Sequence, residues 1–228
     1  MSHVERAVVL AAGLGTRLKW LTSGHPKAMM TVGDDMAIVH VIRRLAGQGI
    51  HDIAVNTHHH GEKLAAFLGD GSRFGVRLYF SREKTLLDSG GGVRKAMELL
   101  PGSGLIAVHN ADVIADIDLQ RLASRVPVNG ASLAMVSNPV HHPAGDFSLL
   151  NGNVVERSGR SFTYSGVSVW DQGALAPYQQ GTLFPLTLPM RDLMAGQLLT
   201  ASVHYGIWFD IGRPRDLMQA RALLNGRE

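Results

Sequence analysis

The chain has 228 residues, of which 45% are hydrophobic and 18% are charged, a balance typical of a globular protein rather than a disordered one. Its formal net charge is +3, from 22 basic and 19 acidic residues, and no run of lysine or arginine forms the basic patch expected of a nucleic-acid-binding protein. The absence of cysteine excludes disulfides, thiolate metal sites, iron–sulfur clusters and cysteine nucleophiles.

The sequence gives no sign of export or of membrane insertion. Residues 1–6 lack the charged and then apolar segments of a secretory signal. No stretch approaches the roughly 20 apolar residues that span a bilayer. We therefore expect a cytoplasmic protein that binds neither membrane nor nucleic acid, and its mild positive charge suits a phosphate-bearing small molecule. The sequence leaves the oligomeric state open.

Apolar strands and amphipathic helices alternate through the first half of the chain. Strands are predicted at residues 7–10, 53–56, 76–80 and 105–109, and helices at residues 37–48, 61–68 and 92–100. This alternation predicts a layered α/β domain with a largely parallel sheet.

Beyond residue 133 the pattern changes to short strand-like segments separated by turn residues. Strands are predicted at 133–137, 147–150, 154–157, 162–169 and 201–204, and helices at 188–197 and 213–224. We expect this half of the chain to extend the sheet with antiparallel strands that line one side of a pocket. Because the sequence contains no linker-like stretch and no internal repeat, residues 1–228 are predicted to form one domain, with no appended acyltransferase domain.

A glycine-containing segment follows the first predicted strand. Residues 13–17 read Gly-Leu-Gly-Thr-Arg, and glycines at this place allow backbone amides to approach a phosphate closely. A dinucleotide-binding fingerprint would need a third glycine where Leu18 stands, and the Gly-Lys-Ser/Thr of a Walker A loop is absent. Two glycines alone are equally typical of an ordinary tight turn, so they leave the function open.

The residues around this segment narrow the interpretation. Residues 10–17 read Leu-Ala-Ala-Gly-Leu-Gly-Thr-Arg, and Leu-Thr at 21–22 and Pro-Lys at 26–27 follow. This ordered set closely resembles the signature of the sugar-1-phosphate nucleotidyltransferases. The resemblance continues in Leu-Asp-Ser-Gly-Gly-Gly at 87–92, Val-His-Asn-Ala-Asp at 108–112 and Trp-Phe-Asp-Ile-Gly at 208–212. It implies a Rossmann-like layered α/β nucleotidyltransferase fold with a mixed, mostly parallel central sheet.

The resemblance also implies a reaction and its catalytic residues. The reaction is the Mg²⁺-dependent transfer of a nucleotidyl group from a nucleoside triphosphate to a sugar 1-phosphate, with release of pyrophosphate. The expected catalytic residues are Arg17, Lys27 and Asp112, of which the two cations would neutralise phosphate charge. Asp112 and Asp210 are expected to bind Mg²⁺, which prefers carboxylate, phosphate and water oxygens. The alternative for Asp210 is a cap on the helix that follows it.

Further residues are assigned to the two substrates by the same resemblance. The expected nucleotide-binding residues are Ala11, Ala12, Gly13, Gly15, Thr16, Lys27 and Gly91, the last in a glycine loop beside the nucleobase. The expected sugar-phosphate-binding residues are Asn110, Gly145, Asp146 and Glu156. Asp146 has an alternative role, which is to stabilise a turn after Gly145.

Residues 141–147, His-His-Pro-Ala-Gly-Asp-Phe, resemble a narrower group, the N-acetylmuramate-1-phosphate uridylyltransferases of cell-wall recycling. This likeness implies UTP and N-acetylmuramate 1-phosphate as substrates, with His142 or backbone amides near Gly145 holding the lactyl carboxylate. A guanylyl- or thymidylyltransferase for a hexose 1-phosphate and a non-catalytic nucleotide-sugar-binding regulator are the alternatives. The retained charged residues of the signature argue against the regulator.

Three departures from the family signature leave its charged groups in place. Trp20 replaces a usual proline, residues 28–30 read Ala-Met-Met, and Ala111 stands where glycine or serine is common in relatives.

The histidines at 58–60 are predicted to form a loop rather than a zinc site. Consecutive strand residues point to opposite faces, and no cysteine is available to complete a tetrahedral set.

Overall fold

The computed structural model describes residues 3–13 and 26–225 of the chain. Within these ranges the strands are β1 (Arg6–Leu10), β2 (Thr31–Val32), β3 (Asp35–Met36), β4 (Asp52–Thr57), β5 (Arg77–Arg82), β6 (Leu105–Asn110), β7 (Val113–Ala115), β8 (Ala131–Val136), β9 (Phe147–Leu150), β10 (Asn153–Val155), β11 (Ser161–Asp171), β12 (Leu199–Val203) and β13 (Trp208–Asp210). The α-helices are α1 (Ala37–Ala46), α2 (Gly61–Leu68), α3 (Asp88–Ala96), α4 (Leu119–Ala123), α5 (Thr187–Ala195) and α6 (Pro214–Asn225).

Nine of the described strands form one mixed sheet in the order β5–β4–β1–β6–β11–β8–β12–β10–β9. Strands β5, β4, β1 and β6 run parallel, and β11 joins β6 in the antiparallel direction. Beyond β11 the pair β12–β8 is parallel, whereas β11–β8, β10–β12 and β10–β9 are antiparallel. The predicted mixed α/β sheet is confirmed, and its parallel half is built from the N-terminal part of the chain. Parallel pairing does not dominate as expected, because four of the described strand pairs in this sheet are parallel and five are antiparallel.

Helices cover both faces of this sheet, because the central strands are apolar on both sides. Side chains alternate along β1, so Ala7 and Val9 pack on the face covered by α1, α2 and α4. Val8 packs on the opposite face with residues of α3 and α5. A smaller core lies under α6, where Leu217 and Ala220 pack against Val32. In the described part of the chain, no helix is long and apolar enough to cross a membrane.

The largest difference from the sequence prediction concerns the glycines at 90–92. They lie inside α3, which begins at Asp88 rather than at residue 92, so the expected glycine loop is wrong. The backbone N–H groups of Gly90 and Gly91 both donate to the carbonyl oxygen of Phe184, at 3.0 Å each. Glycine is needed there because a Cβ on Gly90 would lie 2.5 Å from the Phe184 ring. The segment is therefore a helix start packed closely against a distant loop.

Strand β11 also differs, because it is longer than predicted and contains an irregularity. Its register with β8 shifts between Tyr164 and Ser168. Within this stretch Gly166 has φ +82°, a conformation that favours glycine. A Cβ on Gly166 would lie 2.6 Å from Nδ2 of Asn110, so the glycine lets β11 pass close to the end of β6.

Candidate active site

A cavity of about 560 Å³ opens at the carboxyl ends of the parallel strands β1, β4 and β6. This edge is where open α/β sheets bind their ligands. Its lining includes the segment after β1, the polar residue Asn56 of β4, and the segment after β6. Six of the residues that the family resemblance assigned to the site line this cavity: Ala11, Ala12, Gly13, Lys27, Asn110 and Asp112.

The ammonium of Lys27 forms an ion pair with the carboxylate of Asp112 at the wall of this cavity. Their side chains are only 17% and 24% exposed, so solvent screens the pair less than it would a surface pair. Lys27 lies in a short 3-10 turn after Pro26, whereas Asp112 follows β6. The structure thus brings together two residues that the sequence had assigned to catalysis.

Asp210 reaches the same place through a small second sheet. Strand β13 pairs antiparallel with β7, and the backbone N–H of Ile211 donates to the carbonyl of Asp112 at 2.9 Å. A Cβ on Gly212 would lie 2.5 Å from Nζ of Lys27 and 2.8 Å from Oδ1 of Asp210. The glycine therefore allows the two carboxylates and the ammonium to converge. Oδ1 of Asp210 also accepts from the Gly212 N–H at 2.9 Å. Asp210 can therefore cap the backbone before α6 and still lie beside Lys27.

The two carboxylates suit a hard divalent cation. Carboxylate oxygens are the ligands such a cation prefers, and it takes its remaining ligands from water and phosphate. Among the described residues, no group of three histidine or acidic side chains is arranged to hold a metal. Residues 58–60 form the loop between β4 and α2.

Asn56 and Glu83 form a buried hydrogen-bonded pair under the cavity, which the sequence analysis missed. The Asn56 side chain accepts from the N–H of Ala11 at 2.7 Å and of Ala12 at 3.3 Å, and its amide donates to Oε1 of Glu83 at 2.8 Å. The other oxygen of Glu83 accepts from the N–H of Leu87 at 3.0 Å, just before α3. The pair thus ties the segment after β1 to the start of α3. Asn56, like Asn110, is a polar residue near the end of an apolar strand, and this feature of the sequence could have identified it as a site residue.

The network changes what can be expected of two nucleotide-binding residues. Because the N–H groups of Ala11 and Ala12 both point to Asn56, they are used to position the chain. Gly91 does not line the cavity, its N–H donates to Phe184, and a Cβ there would collide with the carbonyl oxygen of Thr182. Close packing therefore accounts for this glycine, and its place beside the nucleobase stays a prediction.

His109 lies buried in β6, behind Asn110. Burial lowers the pKa of His109 from 6.5 to about 4, against the smaller opposing effects of a hydrogen bond to the Asn110 carbonyl and of the nearby charge of Asp112. Its Nδ1 lies 2.8 Å from that carbonyl, so the ring is neutral at physiological pH and donates there. It supports the backbone that carries Asn110.

A second cavity, of about 250 Å³, lies beside the first and shares Asn110 with it. Its lining includes His142, Tyr164, Asp210 and Arg213. These side chains come from three separate parts of the chain. The arrangement gives the site two adjoining compartments, one at the ends of the parallel strands and one along β11.

The residues 142–146 form a self-contained loop at the edge of the second cavity. Asp146 pairs with Nε2 of His142 at 3.0 Å, and its other oxygen accepts from the N–H of Tyr164 at 2.8 Å. Gly145 has φ +62°, and a Cβ there would lie 2.5 Å from Asn138. The turn-stabilising alternative for Asp146 therefore has direct support.

The remaining predicted residues fall outside this arrangement. Glu156 is exposed in the turn after β10 and lines neither of the two cavities. Gly15, Thr16 and Arg17 lie outside the described residues.

Comparisons with known proteins point to one family. The family model described as "Nucleotidyl transferase" matches residues 6–147. The chain is 34% identical over 226 residues to an N-acetylmuramate alpha-1-phosphate uridylyltransferase of Neisseria meningitidis, covering 96% of this chain and 97% of the relative. It is 29% identical over 234 residues to a protein of the same name from Caulobacter vibrioides, covering 96% of each. The solved structure of HddC from Yersinia pseudotuberculosis complexed with GMP-PN shares the fold, with a TM-score of 0.80, 20% identity and coverage of 96% and 99%.

Proposed function

The chain belongs to the nucleotidyl transferase family and is a sugar-1-phosphate nucleotidyltransferase, and from that premise we propose that it transfers the uridylyl group of UTP to N-acetylmuramate 1-phosphate. The observation that carries this proposal is the 34% identity to the uridylyltransferase of Neisseria meningitidis, which extends over 96% of this chain. The products are UDP-N-acetylmuramate and pyrophosphate.

The reaction needs no side-chain nucleophile, because the attacking group is already an anion. An oxygen of the sugar phosphate attacks the α-phosphorus of UTP, and the bond from that phosphorus to the pyrophosphate oxygen breaks. The protein lowers the barrier by holding the two phosphates in line and by neutralising their charge. We assign this neutralisation to Lys27, whose ammonium lies at the cavity wall, and to Arg17 in the glycine segment.

Asp112 and Asp210 would hold the divalent cation, for which we propose Mg²⁺. When bound, the cation polarises phosphate oxygens as a Lewis acid. The Asp112 carboxylate also orients the ammonium of Lys27, with which it is paired. Asn110 lines both cavities, so we place the sugar phosphate at the junction between them.

Pyrophosphate release by the purified protein tests the assignment. UTP, GTP, CTP and dTTP are each combined with the 1-phosphates of N-acetylmuramate, N-acetylglucosamine, mannose and glucose. We expect the highest kcat/KM for UTP with N-acetylmuramate 1-phosphate. We also expect loss of turnover with a chelator and recovery on addition of Mg²⁺. A clear preference for another pair would contradict the proposed substrates while leaving the class of enzyme intact, and no turnover with any pair would favour the regulator.

We place this reaction in the cytoplasm, in the recycling of cell-wall sugars. The proposed donor is a nucleoside triphosphate, and the proposed acceptor carries a cell-wall sugar. A strain that lacks the enzyme should accumulate N-acetylmuramate 1-phosphate when it turns over its wall. Mass spectrometry of cell extracts measures that pool, and an unchanged pool would contradict this setting.

A further inference from the structure

Arg213 lines the second cavity and carries a buried donor without a partner in the described part of the chain. It lies three residues after Asp210 and just before α6. Its Nε is buried and has no hydrogen-bond partner among the described residues. A guanidinium carries five N–H donors and no acceptor, and buried donors in proteins are nearly always paired. The described residues therefore do not satisfy this guanidinium fully, and its place in the cavity lining puts the side chain within reach of a ligand.

Arg213 is the one arginine or lysine among the described residues that line this cavity, and two other polar side chains there, Asp210 and His142, have partners within the protein. Asp210 accepts from the N–H of Gly212 at 2.9 Å, and no ion pair joins it to Arg213 in the part of the chain described. Nε2 of His142 lies 3.0 Å from a carboxylate oxygen of Asp146, so the two side chains are hydrogen-bonded to each other. Arg213 is thus the group in this cavity best suited to an anion. The planar fork of arginine fits two oxygens of a carboxylate side by side.

We propose that Arg213 determines specificity by binding the carboxylate of an acidic sugar 1-phosphate. This inference rests on the proposed function, in which the substrate carries two separate anions, a 1-phosphate and a lactyl carboxylate. The 1-phosphate belongs near Lys27 and Asp112, in the first cavity, which Arg213 does not line. The second anion then falls in the second cavity, on the far side of Asn110. Arg213 replaces His142, the partner expected from the sequence, because His142 is held by Asp146.

The matched ligand pair for the test is N-acetylmuramate 1-phosphate and its analogue with the lactyl acid converted to a carboxamide. The two have almost the same shape and differ by one charge. The measured quantity is the ratio of kcat/KM for the acid to that for the amide, with UTP as donor. We expect the wild-type ratio to favour the acid. Arg213→Gln should lower this ratio about 10- to 100-fold, the scale of one charge-assisted hydrogen-bonded pair.

Two further variants separate charge recognition from a structural effect. Arg213→Lys keeps the positive charge but loses the planar fork, so its acid-to-amide ratio should lie between those of the wild type and Arg213→Gln. Arg215→Gln changes an exposed arginine in the first turn of α6 and should keep the wild-type ratio. Circular dichroism and thermal unfolding confirm that each variant folds.

The possible outcomes each decide the proposal. An unchanged ratio in Arg213→Gln overturns it, and so does an equal loss for acid and amide, which would place Arg213 on the 1-phosphate. A wild-type enzyme that uses neither muramyl compound but turns over another sugar phosphate overturns the proposed function itself. The wild-type measurements alone identify that second case.

Discussion

The side-chain amide of Asn56 donates to the buried carboxylate of Glu83 at 2.8 Å, and this bond joins two segments that border the main cavity. The oxygen of Asn56 holds the backbone after β1, and the second oxygen of Glu83 holds the backbone before α3. Neither side chain needs to touch a substrate to matter for catalysis, because both fix the shape of the cavity wall. Glu83 is 6% exposed and Asn56 2%, so a lost partner cannot be replaced freely by water.

Glu83→Gln tests this positioning role. The glutamine can still accept from one partner, but its amide nitrogen would face the donor of the other, so one buried N–H loses its acceptor. We expect a loss of about 1–3 kcal/mol in the free energy of unfolding and a higher KM for the triphosphate. Denaturant unfolding and initial-rate kinetics measure the two effects. Glu62→Gln, at a carboxylate that is 84% exposed, is the matched control and should change neither quantity.

Asp112→Asn tests the ion pair with Lys27. The substitution preserves size, so the fold should survive, while turnover should fall by at least about 10²-fold because a charge at the reacting phosphates is lost. Asp210→Asn should act in the same direction and still cap Gly212. Asp34→Asn, at an exposed turn position, is the control. Full activity in both active-site variants would show that the charge needed for catalysis is supplied elsewhere.

Gly91→Ala separates close packing from nucleotide binding. The added Cβ would collide with the carbonyl oxygen of Thr182, which is backbone and yields poorly. We therefore expect a loss of about 1–3 kcal/mol in the free energy of unfolding. The KM of the folded variant for the triphosphate should stay close to the wild-type value. Gly47→Ala is a suitable comparison, because Gly47 has φ −64° and a Cβ there meets its nearest atom at 3.4 Å. A stable Gly91→Ala variant with a sharply raised KM would favour the original nucleobase assignment.

His109 should make stability depend on pH. Burial lowers its pKa from 6.5 to about 4, so the unfolded chain binds a proton between these values and the folded chain does not. The stability contributed by the neutral ring is therefore complete above pH 6.5 and is lost as the pH falls towards 4. By about pH 5.5 the loss should amount to roughly 1–2 kcal/mol.

The comparison of wild type with His109→Gln isolates this effect. Glutamine can donate to the Asn110 carbonyl but does not titrate, so its unfolding free energy should fall less between about pH 7 and pH 5.5. Urea unfolding at a series of pH values measures both curves. Parallel curves would mean that another group causes the pH dependence.

Local information in the sequence was enough for the architecture and for part of the site. The alternation of apolar strands and helices has its origin in side-chain periodicity, which is a property of neighbouring residues. It placed β1, β4 and β6 nearly correctly. The family signature is also local in the chain, and it identified Lys27 and Asp112, which the structure brings into contact.

The tertiary structure decided which distant groups meet and which are already occupied. Asp210 reaches Asp112 only through the pairing of β13 with β7, a register that has no local sequence signal. The family resemblance implied a loop at the glycines 90–92, whereas in the structure they lie in α3 and pack against Phe184. Asp146 accepts from the N–H of Tyr164 in β11, a contact between distant parts of the chain, and Nε of Arg213 has no partner among the described residues. The sequence determines which side chains are present, but the hydrogen-bonding partners that are distant in the chain are determined by the order and register of the strands in the folded protein.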